Sequence, residues 1–118
     1  MRVLVVDDSA YIRVRVASVL RARGVDPTEA SSFEEAVALA DGRFDAAVVD
    51  VELGERSGVE LAELLLARNP ALRLGFLTSN PDAARAQSAE RFGPVFTKEW
   101  DLAQVLLWLG LAGPIAGE

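Results

Sequence analysis

Two adjacent carboxylates, Asp7 and Asp8, stop the apolar run Val3–Val6, and a third, Asp50, stops the run Ala46–Val49 in the same way. If these runs are neighbouring parallel strands, all three acids converge on one sheet edge. Like charges about 4 Å apart repel by ~4 kcal/mol at an effective dielectric near 20, so folding alone gives no reason to collect them. A hard divalent cation removes that penalty. Mg²⁺ takes carboxylate oxygens and water, and phosphate oxygens usually complete its shell. The chemistry expected is an acid-lined metal site that handles phosphate.

Two later runs end on residues that suit the same chemistry. Leu72–Thr78 ends on a hydroxyl, with Ser79 next, and Val95–Thr97 is followed by Lys98. The hydroxyl can bind one phosphoryl oxygen and the ammonium can neutralise another. Asp50, at the central position, can act as nucleophile, because a carboxylate accepts a phosphoryl group to give an aspartyl phosphate. Each residue also has a plainer reading. Asp8 or Ser9 can cap the helix that follows, Asp50 can serve a turn, Thr78 can be an ordinary β-branched strand residue, and Lys98 an exposed charge. The chemical reading is favoured because all of them stand at the same end of successive strand-like runs.

Short apolar runs alternate with longer amphipathic stretches, the pattern of a parallel sheet with crossover helices. The first strand is Arg2–Val6, and the helix after it carries Ile12, Val16, Val19 and Leu20 on one face and stops at Gly24. The second strand, Val25–Ala30, contains Asp26 and Pro27 and is placed at a sheet edge, where proline is tolerated. Ser32 and Glu35 form a capping box for a helix over Phe33–Ala40. The third strand, Ala46–Asp50, leads into a loop with Gly54 and Gly58 and a helix that runs to Arg68 and ends at Asn69-Pro70. Leu72–Thr78 is the fourth strand. The fourth helix, Pro81–Phe92, has a thin apolar face, and after the fifth strand, Val95–Thr97, a helix over Asp101–Leu111 buries Leu102, Val105, Leu106 and Leu109. Ala103, Leu107 and Leu111 form a second stripe on that helix, expected to be partly exposed and to serve as a contact face.

Composition narrows the function. The chain has 118 residues, 51% hydrophobic and 25% charged, which suits one soluble domain spanning 1–118. A net charge of −6 argues against a nucleic-acid binder, whose phosphate affinity comes from Lys and Arg. Absence of cysteine and histidine removes disulfides, thiolate or imidazole zinc sites, catalytic triads and histidine bases. The N-terminal apolar run is too short for a signal peptide or a spanning helix, so no membrane association and a cytoplasmic location are expected.

With these residues in place, the chain resembles the response regulator receiver domain of two-component signalling. Val-Val-Asp-Asp-Ser at 5–9 is similar to the family's acidic pair, and Val-Val-Asp-Val-Glu-Leu at 48–53 to its phospho-acceptor segment. Gly58 falls at the family's glycine eight residues past the acceptor, Leu-Thr-Ser at 77–79 matches the switch hydroxyl, and Phe-Thr-Lys at 96–98 the lysine. At average usage of about 5% per residue type, three aspartates and a lysine at preset positions coincide by chance at ~10⁻⁵. The resemblance implies a flavodoxin-like, doubly wound α/β fold with five parallel strands in the order 2-1-3-4-5 and five helices. It implies a Mg²⁺ site made by Asp8, Asp50 and the carbonyl of Glu52, with Asp7 acting directly or through water, phosphorylation of Asp50, and contacts to the phosphoryl group from Thr78 and Lys98. It implies a sensor histidine kinase or phosphotransfer protein as donor, and output to an effector or a second copy of the chain through the fourth helix, fifth strand and fifth helix. Any catalysis is limited to self-catalysed transfer and dephosphorylation at Asp50.

Five positions bear on the switch. Gly54 and Glu99 stand where the family usually has proline. A non-proline cis peptide costs about 2.5 to 4 kcal/mol, so the Lys98–Glu99 bond is expected to be trans, with the ammonium displaced. Val95 takes the place of the switch aromatic, and Phe96, one residue on, faces the opposite side of the strand. Glu52, two past the acceptor, is expected to crowd an incoming phosphoryl group, and Asn80, two past the threonine, to tune dephosphorylation with it. The rival reading is a pseudo-receiver, an interaction module with its acid pocket intact and its switch uncoupled. A flavin-binding flavodoxin-like carrier lacks support, because no Ser/Thr/Gly-rich phosphate loop follows the first strand.

Overall fold

Val3, Leu4, Val5 and Val6 are all fully buried, which a strand achieves when helices cover both faces of its sheet. In the computed structural model, which describes residues 1–98 and 102–111, they belong to β1 (Arg2–Val6). The chain continues through α1 (Ala10–Ala22), β2 (Asp26–Ala30), α2 (Phe33–Ala38), β3 (Ala46–Asp50) and the two-residue strands β4 (Glu52–Leu53) and β5 (Arg56–Ser57). Then come α3 (Gly58–Arg68), β6 (Arg73–Thr78), α4 (Ala84–Ala89), β7 (Val95–Thr97) and α5 (Leu102–Trp108). The main sheet is parallel with order β2-β1-β3-β6-β7, which is 2-1-3-4-5 once the small hairpin is set aside. This is the doubly wound, flavodoxin-like order.

Strand pleating separates two cores. Leu4, Val6, Ala47, Val49, Leu74 and Phe76 pack with residues of α2, α3 and α4. Val3, Val5, Ala46, Val48 and Leu77 pack with Val16 and Leu20 of α1 and with Leu102, Val105 and Leu106 of α5. Alternate residues of one strand therefore feed opposite layers.

β2 lies at the edge, as Pro27 required. The Asp26 N–H donates to the Met1 carbonyl at 3.0 Å, so the alternation turns the Pro27 nitrogen toward the open side, where no ladder bond is lost. Helix boundaries are shorter than the periodicity suggested: α2 ends at Ala38 and α4 spans only Ala84–Ala89, with no side-chain cap. Glu35 accepts from Ser31 N–H and hydroxyl while Ser32 caps the helix, so the box closes one residue earlier than its usual form. The hairpin β4–β5 replaces the expected loop. Gly54, at φ +64°, is the first of its two central residues and supplies the positive φ such a turn needs. Proline, held near −65°, cannot adopt it. Asp101, the Lys98–Glu99 peptide and Ala112 to Glu118 lie outside the described residues. No helix among the described residues is long and apolar enough to cross a membrane.

Candidate functional site

Register alone brings the acids together. Val6 pairs with Val49 across β1 and β3, so the next residues along these parallel strands, Asp7 and Asp50, emerge side by side at the carboxyl edge. Thr78 pairs with Thr97 across β6 and β7, and Lys98 follows, its N–H donating to the Thr78 carbonyl at 3.0 Å. The expected crevice at the switch in strand order is thus assembled from Asp7, Asp50, Thr78 and Lys98.

Lys98 Nζ donates to Asp50 Oδ2 at 2.8 Å and to Asp7 Oδ1 at 3.3 Å. Asp50 Oδ1 accepts the Glu52 N–H at 3.0 Å, and Asp7 Oδ1 accepts the Ser9 N–H at 2.8 Å. Asp7 Oδ2 differs from the others. It lies 3.1 Å from the ammonium, but at an angle that makes no hydrogen bond, and among the described residues this fully buried oxygen has no other partner. Asp8 is exposed at the rim. Ser9 caps α1 by accepting the Ile12 N–H, which leaves the Asp8 carboxylate available to the site.

Among the described residues, Asp7, Asp8 and Asp50 each offer a carboxylate oxygen within 4.8 Å of the others. With all three carboxylates ionised, the one ammonium leaves −2, the complement of a divalent cation. Oxygen-only donors, their spacing and the orphaned Asp7 oxygen all fit a hard metal ion. Burial, first of all, pushes the Asp50 carboxyl up to about 7; the Lys98 hydrogen bond pulls it down, and the Asp7 charge adds to the rise. Burial pulls the Lys98 ammonium down, but the hydrogen bond and charge of Asp50, with Asp7 behind them, outweigh it and hold Lys98 above its ordinary range. Such shifts on a paired acid and ammonium in a cleft mark functional sites more often than plain structural ones.

The other expected residues are placed less simply. Thr78 is 2% exposed, but its hydroxyl is folded back, donating to the Asn80 carbonyl at 3.1 Å and accepting the Asn80 N–H at 3.0 Å. The Glu52 carboxylate does not crowd Asp50. It is drawn to Arg85 of α4, 2.6 Å from Nη1. Phe96 lies in the α1/α5 core while Val95 packs against the opposite one, the reversal expected from their positions. Gly58 explains itself: a Cβ there would lie 2.2 Å from the Asp50 carbonyl oxygen, and its N–H donates to the Val51 carbonyl at 2.8 Å. Two arginines escaped the sequence reading. Arg13 Nη1 donates to the Asp7 carbonyl at 2.9 Å, with Nε on Glu29 at 3.2 Å. Arg85 also donates to the carbonyls of Glu55 and Arg56. Neither partner lies at a helical or strand spacing from its arginine, so no periodicity could have revealed the pairs.

The response regulator receiver domain family matches residues 3–106. The chain belongs to this family. The acid tolerance regulatory protein ActR of Sinorhizobium medicae is 35% identical over 91 residues, covering 76% of this chain and 46% of ActR. This receiver domain spans about half the length, or less, of the curated relatives it matches. A solved CheY-like response regulator receiver domain protein from Methanospirillum hungatei has a TM-score of 0.83 at 21% identity, with 92% of this chain and 90% of that one covered. A response regulator from Burkholderia pseudomallei, solved with a phosphorylated aspartic acid, calcium ion and citrate, has a TM-score of 0.80 at 30% identity, with 89% and 64% covered. In receiver terms, β7 is the fifth strand of the sheet, and Asp50 ends its central strand.

Proposed function

We propose that this receiver domain accepts a phosphoryl group on Asp50 in a Mg²⁺-dependent reaction and signals through the surface made by α4, β7 and α5. One arrangement carries the reading. Asp50 is 1% exposed at the end of the central strand, with an ammonium at 2.8 Å and two further carboxylates within 4.8 Å. A relative with a phosphorylated aspartic acid and a bound calcium ion supports it.

Asp7, Asp8 and Asp50, with the Glu52 carbonyl, are the groups that would hold the metal. Bound there, Mg²⁺ neutralises the oxygens that gather around the transferred phosphorus. The donor is a phosphohistidine on a sensor kinase or phosphotransfer protein. One Asp50 oxygen attacks phosphorus, the P–N bond breaks, and the imidazole keeps the electron pair and takes a proton from solvent. The products are an aspartyl phosphate and neutral histidine. Lys98 pairs with a phosphoryl oxygen. Thr78 donates to another once its hydroxyl turns from the Asn80 carbonyl, and that turn is the event relayed to α4 and β7. The domain acts in the cytoplasm, and its output is an effector protein or a second copy of the chain.

Incubation with acetyl phosphate and Mg²⁺, followed by intact mass, tests this. The wild type should gain one phosphoryl group and Asp50→Asn none, and EDTA should abolish the gain. Label retained by Asp50→Asn would move the acceptor elsewhere. The pseudo-receiver reading is favoured by one observation, the exchange of faces between Val95 and Phe96. It predicts that phosphorylation leaves partner affinity unchanged.

A further inference from the structure

The segment after the acceptor is held from outside the site. Glu52 lies two residues beyond Asp50, just past the bend at Val51, and its N–H donates to Asp50 Oδ1. Its carboxylate is half exposed and points to α4. Arg85 Nη1 holds it at 2.6 Å, and Arg85 also reaches the Glu55 carbonyl at 3.3 Å and the Arg56 carbonyl at 3.4 Å. One guanidinium therefore spans both strands of the β4–β5 hairpin and the carboxylate next to the acceptor. The planar fork of arginine suits such multiple contacts, and lysine cannot reproduce them. Gly54 and Glu55 form the tip of that hairpin, and the carbonyls of Glu55 and Arg56 face Arg85.

We infer that Arg85 is a positioning residue for phosphoryl transfer: it keeps the negative charge of Glu52 away from the incoming phosphoryl group. The inference rests on Asp50 being the acceptor. Arg85 touches no reacting atom and acts through Glu52. Without the guanidinium, the Glu52 carboxylate stands unneutralised beside Asp50 and repels an anionic donor. Unit charges about 8 Å apart at an effective dielectric near 40 change a rate by about fivefold. The same substitution releases the hairpin, because two of its carbonyls lose their donor.

The test is a double-mutant cycle on the rate of labelling by acetyl phosphate with Mg²⁺, followed by intact mass. Arg85→Ala should slow labelling about fivefold, whereas in a Glu52→Gln background it should change the rate less than about twofold. The exchanged pair Arg85→Glu with Glu52→Arg should recover most of the loss, whereas a role confined to holding the hairpin carbonyls would give no rescue, because a glutamate at position 85 cannot donate to them. Without any donor, amide hydrogen exchange across residues 52–57 should quicken in Arg85→Ala. Equal slowing in both backgrounds, or unchanged exchange in the hairpin, overturns the inference. A wild type that takes up no phosphoryl group overturns the acceptor reading and this inference with it. Labelling of the wild type at a rate that Arg85→Ala does not alter overturns the inference alone.

Discussion

Asp50 shares one ammonium with Asp7, and both carboxylates are buried. Burial raises the Asp50 carboxyl from 3.8 to about 7, so between those values the folded protein holds a proton that the unfolded chain has released. Its contribution to stability is complete below about pH 4 and lost as the pH climbs through about 7. In EDTA, urea unfolding should show the wild type losing ~2 to ~4 kcal/mol relative to Asp50→Asn over that window. A parallel pH dependence of the two proteins would show that Asp50 ionises normally. Metal reverses the preference, because it binds the deprotonated form. Millimolar Mg²⁺ should therefore raise the melting temperature at neutral pH, and raise it less for Asp8→Asn, which removes a donor at the exposed rim. Equal shifts would remove Asp8 from the site.

The approach of α3 to β3 is set by an element with no side chain at its critical position. A Cβ on Gly58 would lie 2.2 Å from the Asp50 carbonyl oxygen and 3.1 Å from Val49 Cγ1. Backbone cannot rotate out of the way, so Gly58→Ala should cost about 2 to 3 kcal/mol in urea unfolding and weaken Mg²⁺ stabilisation by moving Asp50. Unchanged stability would mean that the hairpin absorbs the overlap. This scale also separates what was legible from what was not. β1, β3 and β6 are uninterrupted apolar runs and declare themselves, and edge placement of β2 follows from Pro27. Asp7, Asp8, Asp50, Thr78 and Lys98 were legible because each ends such a run, so strand periodicity alone orders them in space. The β4–β5 hairpin, only two residues per strand, carries no periodicity. α2 and α4 stop short of their helical periodicity: Leu39, Ala40 and the Ala-rich stretch to Phe92 favour helix locally, while tertiary turns claim them. Contacts such as Arg85–Glu52 span 33 residues and exist only once the fold has formed.

For the whole molecule, the two faces of the sheet are not equally finished. On α5, Leu102, Val105 and Leu106 are buried, while Leu107 is 60% exposed and Ala103 is open beside it, as the second stripe predicted. Leu107→Glu should leave folding and Asp50 phosphorylation intact and abolish self-association or partner binding, read by light scattering of the phosphorylated protein or by titration with the effector. If Leu107→Glu instead unfolds, the side chain contributes to the core despite its exposure. Unchanged association would place the contact on another face.

An open sheet has two outer strands, and each could in principle recruit a strand from another chain. Here one border, β2, is broken by Pro27 and charged at Asp26, and the other, β7, is three residues long. Neither offers a continuous row of free N–H and C=O groups as a template. Growth of the sheet from molecule to molecule is blocked at both margins, which protects a protein whose β1 and β3 are almost wholly aliphatic from fibrous aggregation. Reversible assembly is left to the helical surfaces, where side chains and not backbone choose the partner.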